Sequence, residues 1–77
     1  MEVKILGTGC TKCKALEKAT INALAELDIT ANVSKVEDIM QIMNYGVIST
    51  PALVIDEKVV IKGRVPSEKE IKEILIN

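Results

Sequence analysis

Apolar positions along this chain follow two different periods, and the places where the period changes mark its elements. Val3 to Leu6 is a short extended run stopped by Gly7-Thr8-Gly9, which reads as a strand ending in a tight turn. From Thr11 to about Leu27 the period lengthens. Leu16, Thr20, Ala23, Leu24 and Leu27 share one helical face, and Lys14, Lys18, Asn22 and Glu26 mark the wet one. Asp28 interrupts the pattern. Ile29 to Val36 then alternates Ala31, Val33 and Lys35 against Thr30, Asn32 and Ser34, which predicts a second strand. Glu37 and Asp38 lead into Ile39, Met40, Ile42 and Met43, a short helix with carboxylates in its first turn and a C-terminal stop at Gly46.

Two β-rich runs follow, Ala52–Ile55 and Val59–Lys62, separated only by Asp56-Glu57-Lys58. So short a gap predicts a hairpin, although the turn lacks the usual Asn-Gly or Asp-Gly. Gly63 closes it. Ser67 and Glu70 have the spacing of a capping box, with Pro66 before it and Ile71 at the staple position. Ile71, Ile74 and Leu75 are the buried stripe of a last helix running to Ile76. The predicted order is β-α-β-α-β-β-α, an α/β fold. Its first two strands are parallel through a right-handed crossover and its last two antiparallel, in a mixed four-stranded sheet with helices on both faces. No linker, repeat or low-complexity stretch divides residues 1–77, and one domain is expected.

Composition narrows the chemistry. With 77 residues, 48% of them hydrophobic and Tyr45 the sole aromatic, the core must be aliphatic. A net charge of −1 argues against binding nucleic acid through phosphate contacts. No apolar run approaches the roughly 18–20 residues that cross a bilayer, and no signal-peptide pattern opens the chain, so the expected setting is cytoplasmic, without membrane association. The chain has no His, which excludes His ligands and His general bases.

The two cysteines, Cys10 and Cys13, are three residues apart at the end of the first strand, where open α/β sheets gather their chemistry. A bridge across so short a loop would add roughly 2 kcal/mol at most, so the pair is placed for reactivity rather than stability. A thiol at a helix start faces unpaired N–H groups and the positive dipole end, which favour thiolate. Cys10, at the boundary, is the expected nucleophile. Cys13, a turn further in and shielded, is the expected resolving thiol. Two thiolates also suit Cu(I) or half of a tetrahedral zinc site, though a closed zinc site needs more ligands than one chain offers here.

Cys10-Thr11-Lys12-Cys13 after the first strand, Thr50-Pro51 before the third and Gly63 after the fourth resemble a small member of the thioredoxin superfamily. The likeness spans the whole chain. It is closest to the glutaredoxin-sized thioredoxins, or redox-active disulfide proteins, of archaea and anaerobic bacteria. It implies a thioredoxin fold, a cis Pro51 packed beside the disulfide, and a Thr50 backbone that pairs with an extended substrate chain. With Gly63 these residues would shape the substrate groove. The implied activity is dithiol–disulfide exchange on protein disulfides by a monomer, fed by a thioredoxin-reductase-type electron donor. No cofactor or metal is implied beyond the redox-active disulfide itself.

The chain also departs from the family pattern. Gly9 stands where a Trp is usual, Thr11-Lys12 replaces Gly-Pro, and Lys4 occupies the position of the buried acid that usually takes the resolving thiol's proton. Gly63-Arg64 replaces the paired glycines with which glutaredoxins hold glutathione, so glutathione recognition is not expected. Arg64 is read either as meeting a partner's carboxylate or as solvated. Tyr45 either flanks the active site or covers a helix end. Met40 and Met43 are expected to fill core gaps. Glu37-Asp38 and Asp56-Glu57 are read as solvated turn and helix-start residues. The alternative function is a copper chaperone-like thiolate module, whose order β-α-β-β-α-β ends in a strand; a third is an adaptor without redox chemistry.

Overall fold

The structure, a computed structural model, describes residues 1–9 and 11–76. Its elements are β1 (Glu2–Leu6), α1 (Thr11–Glu26), β2 (Asn32–Val36), α2 (Ile39–Asn44), β3 (Ala52–Ile55), β4 (Lys58–Lys62) and α3 (Glu68–Ile76). The sheet order is β2-β1-β3-β4, with β1 parallel to β2 and antiparallel to β3, and β3 antiparallel to β4. This is the expected mixed sheet, and β1 and β3 lie at its centre.

Strand side chains alternate between faces, so the sheet divides the core in two. Val3 and Ile5 of β1, with Leu53 and Ile61, pack under Leu16, Ala23 and Leu24 of α1 and Ile71 and Leu75 of α3. Leu6, Ala52 and Val54 face the other way, onto Ile42 of α2 and Val47. Thr20 lies on the buried stripe of α1, and its hydroxyl is satisfied by donating to the Leu16 carbonyl at 2.8 Å.

Local features differ from the sequence expectations at the start of β2, at the N-cap of α2 and at the capping box before α3, and the hairpin turn takes a definite type. The second strand starts at Asn32 rather than Ile29, because α1 ends in a Schellman motif. In that motif Asp28 is left-handed (φ 54), the Asp28 N–H donates to the Ala25 carbonyl and the Ile29 N–H to the Leu24 carbonyl. Ile29 is thereby packed on the core instead of entering the sheet. Asp38 is the N-cap of α2 rather than a first-turn residue, its carboxylate accepting from the Met40 N–H at 2.9 Å.

The hairpin turn is Asp56-Glu57, both left-handed (φ 48 and 67), as a type I′ turn requires. Asp56 also ties the turn to β1. Its N–H donates to the Glu2 carbonyl and its carboxylate accepts from the Glu2 N–H. Only half of the expected capping box forms: Ser67 Oγ accepts from the Glu70 N–H at 3.2 Å, while the Glu70 carboxylate turns to Arg64. Arg64 therefore meets a carboxylate of its own chain, and each partner holds the other in its charged form.

The helix α2 buries only Ile42, leaving Met40 and Met43 exposed. Six residues make too few turns to present more than one apolar position to the sheet. The two methionines therefore do not fill core gaps. No helix among the described residues is long and apolar enough to cross a membrane.

Candidate active site

The site is built where β1 ends. Leu6 is the last residue paired on both sides, to Val36 and Ala52, and the chain then passes through Gly7-Thr8-Gly9 into α1. Gly9 is left-handed (φ 84), a conformation that favours glycine at this reversal. Cys10, the expected nucleophile, lies outside the described residues. Cys13 stands in the first turn of α1 and is 5% exposed, the covered position expected for a resolving thiol.

What holds Cys13 in place is Gly7. A Cβ added to Gly7 would lie 2.3 Å from the Cys13 sulfur, 3.2 Å from the Cys13 Cβ and 3.9 Å from the Thr50 Cβ. The sulfur thus occupies the space that any side chain at position 7 would take, and Thr50 closes the other side. Gly7 itself is fixed by donating its N–H to the Val36 carbonyl at 2.9 Å. In the sequence Gly7 marks only the end of a strand; its second role arises from the close approach of α1 to the end of β1, which no local signal announces.

The Thr50–Pro51 peptide bond is cis. Pro51 lies just before the ladder, which begins at Ala52, so its missing N–H removes no strand bond. Its carbonyl accepts from the Gly63 N–H at 2.8 Å. Gly63 is left-handed (φ 76), and a Cβ there would press on the Ser49 Cβ at 3.2 Å. The structure therefore brings Cys13 and Thr50 together around Gly7, and ties Gly63 to Pro51 behind them. Thr50 is exposed. Beside it opens an apolar groove of about 430 Å³, lined by Thr8, Ile39, Met43, Val47 and Ile48, the last 95% exposed.

Lys4, at the position where an acid is usual, is not directed at the cysteine. It lies on the α2 face, where its ammonium donates to Glu57 at 2.7 Å and to the Tyr45 hydroxyl at 2.8 Å. Tyr45, which caps the end of α2, in turn donates to Glu57 at 3.2 Å. Tyr45 thus covers a helix end and does not line the cysteine site. The hydrogen bond to Glu57, and secondarily that to Tyr45, hold the Lys4 ammonium above its ordinary value of 10.5. The hydrogen bond from Lys4 holds the Glu57 carboxyl below its ordinary 4.5.

A carboxyl lowered on folding stabilises the fold above its unfolded value and loses that contribution as pH falls through the lowered one. The raised ammonium contributes below 10.5 and loses its share as pH rises beyond that. Glu57→Gln is accordingly expected to be less stable than the parent at neutral pH, with the gap closing on acidification below 4.5. Denaturant titrations at neutral and acid pH check this; a gap that does not narrow contradicts it.

The sequence profile of the thioredoxin-domain family matches residues 1–76. A thioredoxin of Methanothermobacter thermautotrophicus is 43% identical over 75 residues, covering 97% of this chain and 97% of the relative. A thioredoxin of Methanocaldococcus jannaschii is 40% identical over 73 residues, covering 95% of this chain and 84% of the relative.

Proposed function

The chain belongs to the thioredoxin family, and from that premise we propose that it reduces protein disulfides, with Cys10 attacking and Cys13 resolving. The Cys10 thiolate attacks one sulfur of a substrate disulfide, forming a mixed disulfide and expelling the first substrate thiolate. Cys13, as thiolate, then attacks the Cys10 sulfur. The Cys10–Cys13 bond forms, the bond to substrate breaks, and the second substrate thiolate leaves and is protonated. Two electrons pass from the cysteine pair to the substrate.

The observation that carries this reading is the position of Cys13, buried in the first turn of α1 against Gly7 with Thr50 alongside. A covered second sulfur at that place is poised to displace whatever its neighbour three residues earlier has captured. The Thr50 backbone and Gly63 would seat an extended substrate segment, with Pro51 between them. The electrons move on sulfur alone, without a further cofactor, and return from a thioredoxin-reductase-type donor. We place this single domain in the cytoplasm, as a monomer. The copper chaperone-like reading is not favoured, since α2 stands between β2 and β3 where that architecture passes directly from strand to strand.

Reduction of insulin by dithiothreitol tests the proposal. The protein is expected to accelerate insulin reduction well beyond dithiothreitol alone; no acceleration would overturn it.

A further inference from the structure

Resolution needs a proton to leave a buried thiol, and the residue that usually receives it is here a lysine engaged elsewhere, with Glu57 and Tyr45 on the opposite face of the sheet. On the cysteine's own side a small cavity of about 150 Å³ touches Cys13 between Gly7 and Gly9. The charged groups lining it, among the described residues, are Lys14 and Glu17 of α1, Lys35 of β2 and Glu37 just beyond β2. The cavity has room for several water molecules and the polar lining to bind them.

Glu17 follows Cys13 by four residues on α1, so the two share a helix face with Cβ atoms roughly 5–6 Å apart. Side chains of a helix lean toward its N-terminus, which carries the Glu17 carboxylate back over the turn that bears Cys13. Only a quarter of the Glu17 side chain is exposed, and the Lys35 ammonium stands 3.5 Å from its carboxylate. Glu37 is exposed, and its carboxylate approaches the position a Cβ would take on Gly9, nearer the rim than the sulfur.

We infer that Glu17 accepts the proton of Cys13, through water in this cavity, during resolution of the mixed disulfide. The inference rests on the exchange reaction proposed above. The Cys13 S–H bond breaks with its electron pair left on sulfur, and the proton passes through the cavity to the Glu17 carboxylate. The sulfur then attacks Cys10, and the departing substrate thiolate takes up a proton from solvent. Glu17 then returns to its starting state by releasing the proton to solvent. Lys35 and Lys14 together keep this acid-lined cavity close to neutral.

Oxidation of the reduced protein by dithiobis(nitrobenzoate) separates the two steps, because attack and resolution each release one coloured thionitrobenzoate. Glu17→Gln is expected to leave the first release unchanged and to slow the second about tenfold at neutral pH, less than the roughly 10²–10⁴-fold typical of a positioned base because water already has access. The deficit should narrow as pH rises, because hydroxide then takes the thiol proton in place of the carboxylate. Glu17→Asp should restore most of the neutral-pH rate, and Glu37→Gln should leave both phases unchanged. Equal second phases in Glu17→Gln and parent at every pH would overturn the inference alone. So would a deficit that persists undiminished at alkaline pH, or a deficit that follows Glu37→Gln instead. A parent protein that releases no second equivalent would overturn the exchange reaction itself, and this inference with it.

Discussion

Cys10→Ser is expected to leave insulin reduction at the dithiothreitol background, while Cys13→Ser is expected to stall the same reaction as a covalent complex. The two losses look alike in turnover and differ in what accumulates. Without Cys10, the proposed nucleophile, nothing is expected to open a substrate disulfide and no mixed species to form. Without Cys13 the attack still occurs, but nothing displaces the captured substrate until an external thiol arrives. Non-reducing gels and intact-mass measurement should show a one-to-one disulfide adduct through Cys10 in Cys13→Ser alone. Serine adds a hydroxyl to a buried site at a cost of about 1–3 kcal/mol, so Cys13→Ala serves as the matched variant with the same expected adduct. An adduct on Cys10→Ser, or full turnover by either single variant, contradicts the assigned roles.

Gly7→Ala carries the second largest expected effect, and it acts on stability and chemistry together. The new methyl would stand 2.3 Å from the Cys13 sulfur, far inside any real contact. Neither side yields easily: Gly7 is held to Val36 beside the β1 ladder, and the Cys13 side chain has one short rotatable arm. Either the sulfur leaves its seat or α1 lifts from the sheet. The expected loss is about 1–3 kcal/mol, as for other overpacked interiors, with a slowed second release of thionitrobenzoate.

Gly46→Ala is the control. Its Cβ meets nothing within 4 Å, but its φ of 76 makes any side chain strained. It should lose about 1 kcal/mol from the left-handed backbone and leave both release rates intact. A Gly7→Ala protein with unchanged midpoint and unchanged kinetics would show that the sulfur does not rest where the structure has it.

Most of the architecture was legible because it depends on periods and punctuation. The alternation of Val3 and Ile5 against Leu6, the Leu16–Thr20–Ala23–Leu24 stripe and the Ser67 cap all act within a turn or a strand, so local sequence carries them. The expectations that failed concern partners distant in sequence or backbone states that few residues advertise. Nothing local shows that Asp28 and the Asp56-Glu57 pair adopt left-handed conformations usually left to Gly or Asn, which is why β2 starts late and the hairpin turn escaped a type. Met40 and Met43 read as core residues because they are apolar, but a helix of so few turns offers the sheet a single position.

The site was legible to a similar depth. The cysteine spacing and Thr50-Pro51 stand out in the sequence, and the burial of Cys13 follows from its place one turn into a helix. The role of Gly7 was hidden because it arises from a close approach between β1 and α1, which only the packed fold reveals. Lys4 announced that the usual acid was missing. Where the proton goes instead became arguable only once Glu17, Lys35 and Cys13 were found on one cavity.

In the proposed exchange the two sulfurs work as one two-electron couple. Its most direct test equilibrates the protein in dithiothreitol buffers of graded poise, alkylates the remaining thiols and counts the labels by intact mass. Molecules are expected to bear either no label or two, exchanging abundance in a single transition. A dominant singly labelled species at intermediate poise, with each cysteine oxidising on its own, would contradict this expectation.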